Sequence, residues 1–246
     1  MTTWLPWKIA GKDFRIIRRK KSVLYYLVAV PIVMAVLFPS IALVLTDMGS
    51  VKDFAKLIPY LNSYSFFFVL LPPMLANGLA SYSIVGEKLE KTLESLLATP
   101  TTDAEILLGK SLASFVPVML SVWLGGAVFM AFVDVASYQH LGYAIYPDWT
   151  LAAVLLVVAP LACLFSVEWS VVISARVSDL RGAQQMGGLG GVLPLVALFG
   201  VLESGVIKAD TLSFLVIGVA LVLLDAVLYY FSVATFRREE ILTKWK

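Results

Sequence analysis

Residues 86–111 read GEKLEKTLESLLATPTTDAEILLGKS, the longest polar-rich stretch that has strongly apolar sequence on both sides. Its leucines at positions 89, 93, 96 and 97 recur at helical spacing and form one apolar stripe, with polar residues covering the rest. Pro100 disfavours a helical residue at 99, so the helix should end there. The run Thr102–Glu105 reads as a capping box that starts a new helix at 103. The stretch therefore predicts a short amphipathic helix over 86–99, a proline elbow and a further helix.

The last letters of this stretch, LLGKS, resemble the end of a phosphate-binding loop, but the rest of that motif is missing. The motif requires a glycine five positions before Gly109, and Ala104 stands there. It should also follow a buried strand, whereas a Pro-Thr-Thr turn precedes it here. We therefore predict no nucleotide site in this chain.

The composition is that of a membrane protein. The 246 residues are 60% hydrophobic and 15% charged, with a mean hydropathy of +0.88, whereas soluble domains carry about 25% charged residues. Because a helix needs about 20 apolar residues to cross a bilayer, six segments qualify or come close. The predicted fold is an all-α membrane protein with spans at 22–46, 60–85, 106–133, 149–174, 187–203 and 212–236, of which the fifth is the shortest.

The distribution of Lys and Arg predicts the orientation of these six spans. With the N-terminus inside, sixteen of these cations fall on inner segments, and only Lys52, Lys56 and Lys208 fall on outer loops. Cytoplasmic loops carry an excess of Lys and Arg. We therefore expect both termini, and the quoted stretch, on the cytoplasmic side of the inner (plasma) membrane.

The N-terminal segment, residues 4–21, predicts an amphipathic helix that lies in the membrane interface. One face carries the apolar side chains of Trp7, Ala10, Phe14 and Ile17. The opposite face carries the cations Lys8, Lys12, Arg15 and Arg19. Such a helix places its apolar face among the lipid headgroups. It can serve as a topology anchor, or it can also brace a cytoplasmic partner, and the two roles are compatible.

Two ionisable residues fall inside predicted spans. Charges at that depth are costly and usually face protein or water. For Asp225, near the middle of the sixth span, the sequence leaves two interpretations open: a neutral, hydrogen-bonded group between helices, or a proton-linked group on a transport pathway. For Glu168 we expect an inner network with Arg176, two turns further along.

The loop between spans four and five offers two further features. Gly187 and Gly191 form a G-x-x-x-G pair, which is typical of close helix packing. The charged residues Arg176, Asp179 and Arg181 form either a solvated turn or a second docking contact.

Composition also limits the chemistry that is possible. Cys163 and His140 are the single cysteine and histidine, so a disulfide within the chain is impossible and a histidine-based metal site lacks partners. No carboxylate pair stands at a useful spacing, which argues against an intramembrane enzyme. A net charge of +2 gives no basic face for nucleic acid. An ion-coupled secondary transporter that works without an ATPase is the alternative, although the inverted repeat expected of one is not evident.

The quoted stretch resembles the signature of type-2 ABC transporter permeases, the membrane subunits of the ABC-2 superfamily. The pattern E-[KR]-x-x-x-T-L-E-x-L-L-x-T-P matches at Glu87, Lys88, Thr92, Leu93, Glu94, Leu96, Leu97, Thr99 and Pro100. Leu89 departs from it, since that place is often acidic in the family. A second resemblance, to S-x-R followed by A-Q-Q-x-G, lies at Ser174, Arg176, Ala183, Gln184, Gln185 and Gly187.

The resemblance implies that the chain is the permease of an exporter that a separate ATPase drives. Two permease copies, or this chain and a related one, pair around the substrate path, and separate ABC ATPase subunits hold the ATP and Mg²⁺. This chain then needs no cofactor of its own and is not an enzyme. The helix over 86–99 becomes the coupling element, with the ATPase contact assigned to Glu87, Lys88, Glu90, Thr92, Leu93, Glu94, Leu97 and Pro100.

Overall fold

The computed structural model of the chain describes residues 5–45, 64, 66–92, 101–204 and 210–235. Within these ranges the chain forms helices and no strands, which confirms the all-helical prediction. In chain order they are α1 (Leu5–Arg19), α2 (Lys21–Leu45), α3 (Phe67–Leu89), α4 (Asp103–Leu141), α5 (Trp149–Arg176), α6 (Leu180–Gly191), α7 (Leu193–Glu203) and α8 (Thr211–Thr235).

Five of these helices, α2, α3, α4, α5 and α8, are long and apolar enough to cross a membrane. The predicted spans 22–46, 106–133, 149–174 and 212–236 fall on α2, α4, α5 and α8. The predicted span 60–85 overlaps α3, which continues to Leu89, while residues 60–63 and 65 lie outside the described residues. The predicted fifth span, 187–203, is divided between α6 and α7. Neither helix is long enough to cross a membrane by itself.

The ends of α4 follow from local sequence. The Thr102 side chain accepts a hydrogen bond from the Glu105 amide at 3.3 Å, and the Glu105 carboxylate accepts one from the Thr102 amide at 2.7 Å. This confirms the predicted capping box and the helix start at Asp103. At the other end Gly142 adopts a left-handed conformation with φ of 79°, which glycine tolerates without steric cost.

The centre of the bundle is the packing of α3 against α5. Three serines of α5 at helical spacing point at α3. Ser166 donates to the Pro73 carbonyl at 3.1 Å, Ser170 to Asn77 Oδ1 at 3.0 Å and Ser174 to the Ser81 carbonyl at 2.8 Å. Small side chains let the backbones approach, and their hydroxyls bond across the interface. This ladder therefore sets the register of the two helices.

Helix α6 lies against both α3 and α5 through its glycines. A Cβ at Gly187 would collide with Asn77 Oδ1, and one at Gly191 would lie 2.8 Å from Ser166 Oγ and 3.1 Å from Ser166 Cα. The close packing predicted for the G-x-x-x-G pair is confirmed. Gly188, on the same helix, would meet only the Asn77 amide nitrogen at 3.4 Å, an ordinary contact.

A π-helical segment, Val154–Val158, interrupts α5 just before Pro160. Proline has no amide hydrogen and so disturbs the backbone ladder of the preceding turn. Trp123 of α4 donates its indole N–H to the Leu155 carbonyl at 2.9 Å. A side chain of a neighbouring helix thus bonds a carbonyl of the irregular turn, as is needed where water is excluded.

Helix α1 packs along the start of α4 instead of standing apart from the bundle. Ala10 is fully buried, and Ile9 and Ile17 pack against the core. A Cβ at Gly109 of α4 would approach Ile9 Cβ to 2.8 Å, which shows how closely the two helices lie. Part of the face that we predicted for lipid is therefore used to contact protein, while Trp7 remains more than half exposed.

We expect Gly191→Ala to destabilise the chain by about 1–3 kcal/mol, the usual cost of overpacking a tight contact. The new Cβ would press against the backbone Cα of Ser166, which cannot rotate away as a side chain can. Gly188→Ala should be neutral or stabilise by up to about 1 kcal/mol through helix propensity. Thermal unfolding of the purified chain in detergent measures both; equal midpoints for the two variants would contradict the glycine packing.

Candidate functional site: a buried ion-pair network

Four charged side chains from three helices meet at one end of the bundle and form an ion-pair network, defined here as Lys12, Asp13, Glu87 and Lys110. Lys110 Nζ lies 2.8 Å from Glu87 Oε1 and 3.0 Å from Asp13 Oδ2. Lys12 Nζ lies 2.6 Å from Glu87 Oε1. The network thereby joins α1, the last turn of α3 and the second turn of α4.

Burial distinguishes the members of the network. The Lys110 side chain is 2% exposed and that of Glu87 is 7% exposed, whereas Lys12 is 49% exposed. An ammonium removed from water loses several kcal/mol of hydration, which its partners must offset. Lys110 has two carboxylates as partners, so its charge is balanced from two directions. Lys110 and Glu87 are the pair on which the network depends.

The chain leaves α3 through a turn that is tied to the same glutamate. Lys91 adopts a left-handed conformation with φ of 57°. The Lys91 amide donates to the Lys88 carbonyl at 3.1 Å and the Thr92 amide to the Glu87 carbonyl at 2.9 Å, the two bonds of a Schellman motif. The Thr92 hydroxyl also donates to Glu87 Oε2. Residue 92, the last described before residues 93–100, is thus held by both backbone and side chain.

A second polar contact joins the same end of α3 to the end of α5. Lys88 Nζ donates to the carbonyls of Ala175 and Val177, each at 2.9 Å. The last carbonyls of a helix lack partners within it and carry partial negative charge, so a cation there is favourable. Ser174 completes the contact by accepting from the amides of Ile84 and Val85 at 3.0 Å.

A cavity of about 240 Å³ opens beside the network. It is bounded by α1, α3, α4 and α6, and the network side chains Asp13, Glu87 and Lys110 lie on its wall. Tyr82 stands at this wall with its hydroxyl donating to Glu90 Oε1 at 2.9 Å, and Lys20 Nζ lies 4.8 Å from the centre of its ring. The surroundings of the network are therefore partly open, and its charges are not packed on all sides.

The structure gives the predicted coupling residues different positions. We predicted that Glu87 and Lys88 belong to a separate helix that starts at 86; instead both are buried in the last turn of α3. Glu90 is exposed and bonds Tyr82, and Thr92 bonds Glu87. Four of the predicted residues lie outside the described residues, so their part of the coupling helix stays a prediction: Leu93, Glu94, Leu97 and Pro100.

The predicted second contact also separates into different roles. Asp179 caps α6, since its carboxylate accepts from the Gly182 amide at 2.7 Å. Arg176 and Arg181 are exposed. Asp179 thus has a structural role that the sequence interpretation did not assign to it, while the two arginines remain available to a partner.

The intramembrane carboxylates do not form the contacts expected of them. Among the described residues no ion pair joins Glu168 to Arg176, and Glu168 Oε2 has no hydrogen-bond partner there. Both Asp225 oxygens are buried and likewise lack a hydrogen bond within the described ranges. Buried polar groups of this kind are uncommon and ask for an explanation.

Sequence reasoning did not identify Lys110, Lys12 or Asp13 as members of this site. We considered Lys110 only as a phosphate-loop lysine and as a cytoplasmic cation. The signal that could have indicated burial was its surroundings, because it stands in a helix whose neighbouring residues, Ile106 and Leu107, are apolar. The partners of Lys110 are 97 and 23 residues distant in sequence, so no local pattern reveals them.

Replacing the buried lysine should cost far more than replacing the exposed one. Lys110→Met removes a cation from Asp13 and one of the two lysines that balance the charge of Glu87. We expect the free energy of unfolding to fall by about 3–5 kcal/mol. Lys12→Met should cost at most about 1 kcal/mol, since half of that side chain is in solvent. The double variant Lys110→Met, Glu87→Gln should lose less than the sum of its single changes. Unfolding midpoints in detergent are measured for the natural chain, for Lys110→Met, Lys12→Met and Glu87→Gln, and for the double variant. Similar losses of stability in the two lysine variants would contradict the burial argument.

Comparison with known proteins places the chain in a family. The sequence matches the family described as ABC-2 family transporter protein over residues 7–193, which is more than half of the chain. The matched region contains the whole ion-pair network and the contact between α3 and α5. No curated protein matches the chain. With its five apolar helices of spanning length, the chain belongs to the ABC-2 family of transporter proteins and is an integral membrane permease.

Proposed function

We propose that this permease is the membrane subunit of an ATP-driven exporter and that the ion-pair network transmits the force of a separate ATPase into the bundle. Two permease subunits form the substrate path, and ATPase subunits that hold ATP and Mg²⁺ dock on residues 89–100, which follow the buried Glu87 and Lys88. Both termini lie on the cytoplasmic side. The observation that carries the proposal is the attachment of Thr92, at the start of the predicted docking segment, to Glu87 of the network.

The network offers a short path for force. A displacement of residues 93–100 reaches Thr92, whose hydroxyl and amide are bonded to Glu87. Glu87 in turn is bonded to Lys110 of α4 and Lys12 of α1. Because separating a buried pair costs several kcal/mol, the three helices should move together and not one at a time. The Lys88 contact extends the same movement to α5.

The course of the chain supports six passes. The last turn of α3 contacts the end of α5, and the start of α6 contacts α3 through hydrogen bonds from Asn77 and Ser81 to the carbonyls of Gln184 and Ala183. At the opposite end Thr150 of α5 lies 3.2 Å from Thr211 of α8. Residues 180–203 would rise about 36 Å if helical throughout, which is enough for a bilayer core of about 30 Å. In this arrangement α6 and α7 in series make the fifth pass.

Ion-coupled transport without an ATPase is the second candidate, and the carboxyl groups of Glu168 and Asp225, which lie on helices of spanning length, favour it. Carboxyl groups within membrane spans commonly serve as proton relays in transporters, so a proton could bind there during transport. The network at the end of α3 has no evident task in that mechanism. For this reason we rank it below the ATP-driven one.

A pull-down of the full chain tests the proposed function. The tagged permease, extracted from its own membrane in mild detergent, should recover an ABC ATPase subunit, and the purified permease alone should turn over no ATP. Recovery of an assembled, transporting permease without any ATPase would contradict the proposal.

Variants at Leu93 and Glu94 and a variant at Thr92 should separate docking from transmission. We expect Leu93→Asp and Glu94→Ala to reduce transport and its coupling to ATP hydrolysis while insertion stays normal. Thr92→Val keeps the shape of the side chain but removes the hydroxyl bond to Glu87 Oε2, while the bond from the residue 92 amide to the Glu87 carbonyl remains. It should still bind the ATPase, yet lose the ATP-dependent change in hydrogen exchange of α4. Lys91→Gln is the matched control, since Lys91 is exposed and adjacent. An unchanged exchange response in Thr92→Val would exclude this bond as the path.

Asp225 distinguishes the two candidate functions. Asp225→Asn cannot ionise, so an ATP-driven permease should keep its response to ATP, whereas proton-coupled transport should be lost with assembly intact. Because neither oxygen has a described partner, Asp225→Leu should stabilise the chain by about 1–3 kcal/mol, the cost of an unsatisfied buried group. A hydrogen-bonded Asp225, one of the two interpretations that the sequence left open, would instead make the Leu variant weaken assembly. A lower unfolding midpoint for Asp225→Leu would indicate a partner from another subunit or from residues outside the described ranges.

A further inference from the structure

An apolar groove of about 360 Å³ runs between α5 and α8, on the outside of the bundle. Aromatic and branched side chains spaced three or four residues apart form its two walls. They are Phe165, Trp169 and Val172 on α5 and Leu224, Val227 and Phe231 on α8. Each of the α8 side chains is at least half exposed, so the groove is open to whatever surrounds the protein, which for an integral membrane protein is lipid.

The groove has the length of one lipid leaflet. From Phe165 to Arg176 the helix rises about 16 Å, which is half of a hydrocarbon core of about 30 Å. Arg176 is the last residue of the apolar segment of α5 that is long enough to span. The groove therefore extends from the membrane interface to the middle of the bilayer.

Arg176 stands at the interfacial end of this groove and forms part of its lining. Its side chain is exposed, and it makes no hydrogen bond or ion pair with any residue of the described ranges. A guanidinium presents a planar set of donors that matches phosphate oxygens in a bidentate way. An unpaired arginine above an apolar groove is complementary to an anionic amphiphile, with a phosphate at the arginine and a hydrocarbon chain below it.

We propose that this groove binds one acyl chain of an anionic phospholipid whose phosphate is held by Arg176. The apolar face of a second protein chain would fill the groove but leave the guanidinium without a counter-charge. A zwitterionic lipid would bring its own ammonium next to Arg176 and gain less. The bound lipid contacts α5, α8 and Gly190 of α6 at once, so it fills the seam between these helices.

Trp169 is a probe already built into the groove wall. The full chain is placed in phosphatidylcholine nanodiscs that contain, at equal mole fraction, either brominated phosphatidylglycerol or brominated phosphatidylcholine. The contribution of Trp169 is the difference in fluorescence quenching between the natural chain and Trp169→Phe. We expect the anionic lipid to reach half-maximal quenching at about one fifth of the mole fraction that phosphatidylcholine needs. This fivefold difference in affinity corresponds to about 1 kcal/mol for one interfacial arginine.

Arg176→Gln should remove this preference, while Arg181→Gln, the matched control, should keep it because Arg181 is exposed but lies outside the groove lining. Val227→Phe, which adds bulk without a second tryptophan, should fill part of the groove and reduce quenching of Trp169 by both lipids. Equal quenching by the two lipids in the natural chain, or equal losses in the two arginine variants, would overturn the proposal. Disulfide-linked dimers of Val227→Cys on mild oxidation would also overturn it, by showing that a second copy occupies the groove.

Discussion

The buried ammonium of Lys110 constrains the arrangement of one end of the bundle. With 2% of its side chain exposed, this charge is tolerable only where carboxylates reach it. Asp13 comes from the middle of α1 and Glu87 from the last turn of α3, so both of these parts must lie close to the second turn of α4. The position of α1 against the bundle, the end of α3 and the register of α4 are therefore linked through one side chain.

The same end of the bundle contains the polar contacts that specify how α3 and α5 fit together. Lys88 bonds the last carbonyls of α5, and Ser174 bonds backbone groups of α3 from the other side. In a membrane bundle apolar contacts give little preference for one register over another, because lipid tails are as apolar as leucine. Directional bonds between these helices supply that preference, and they extend from Ser166 and Pro73 to Lys88 at the end of α3.

The outer face formed by α5 and α8 is different in character. Leu224, Val227 and Phe231 are apolar and at least half exposed, and both oxygens of the buried Asp225 lack a hydrogen bond within the described residues. One end of the permease is thus fixed by charge pairs, while this face is available to lipid or to other subunits. A transporter needs both properties, because force must enter through a stiff connection and the helices must still be able to separate along a seam. Helix α5 lines the groove and is bonded at its end to Lys88, the neighbour of Glu87 in the network.

The sequence by itself determined the elements that depend on local patterns. Length and hydropathy gave the spans on α2, α4, α5 and α8, the Thr102–Glu105 pattern gave the start of α4, and the Gly187–Gly191 spacing gave the close packing of α6. These features depend on residues within one or two helical turns of each other, so they can be read along the chain.

Only the tertiary structure decided which charges meet. Glu87 and Lys88 fit a polar helix face by their spacing, yet they are buried, because Lys110 and the end of α5 offer them partners distant in sequence. Lys91 could not be recognised as the end of α3, since a left-handed turn there usually requires glycine. Charge pairing is decided by three-dimensional distance and by loss of water, and neither quantity is encoded in a local pattern of residues.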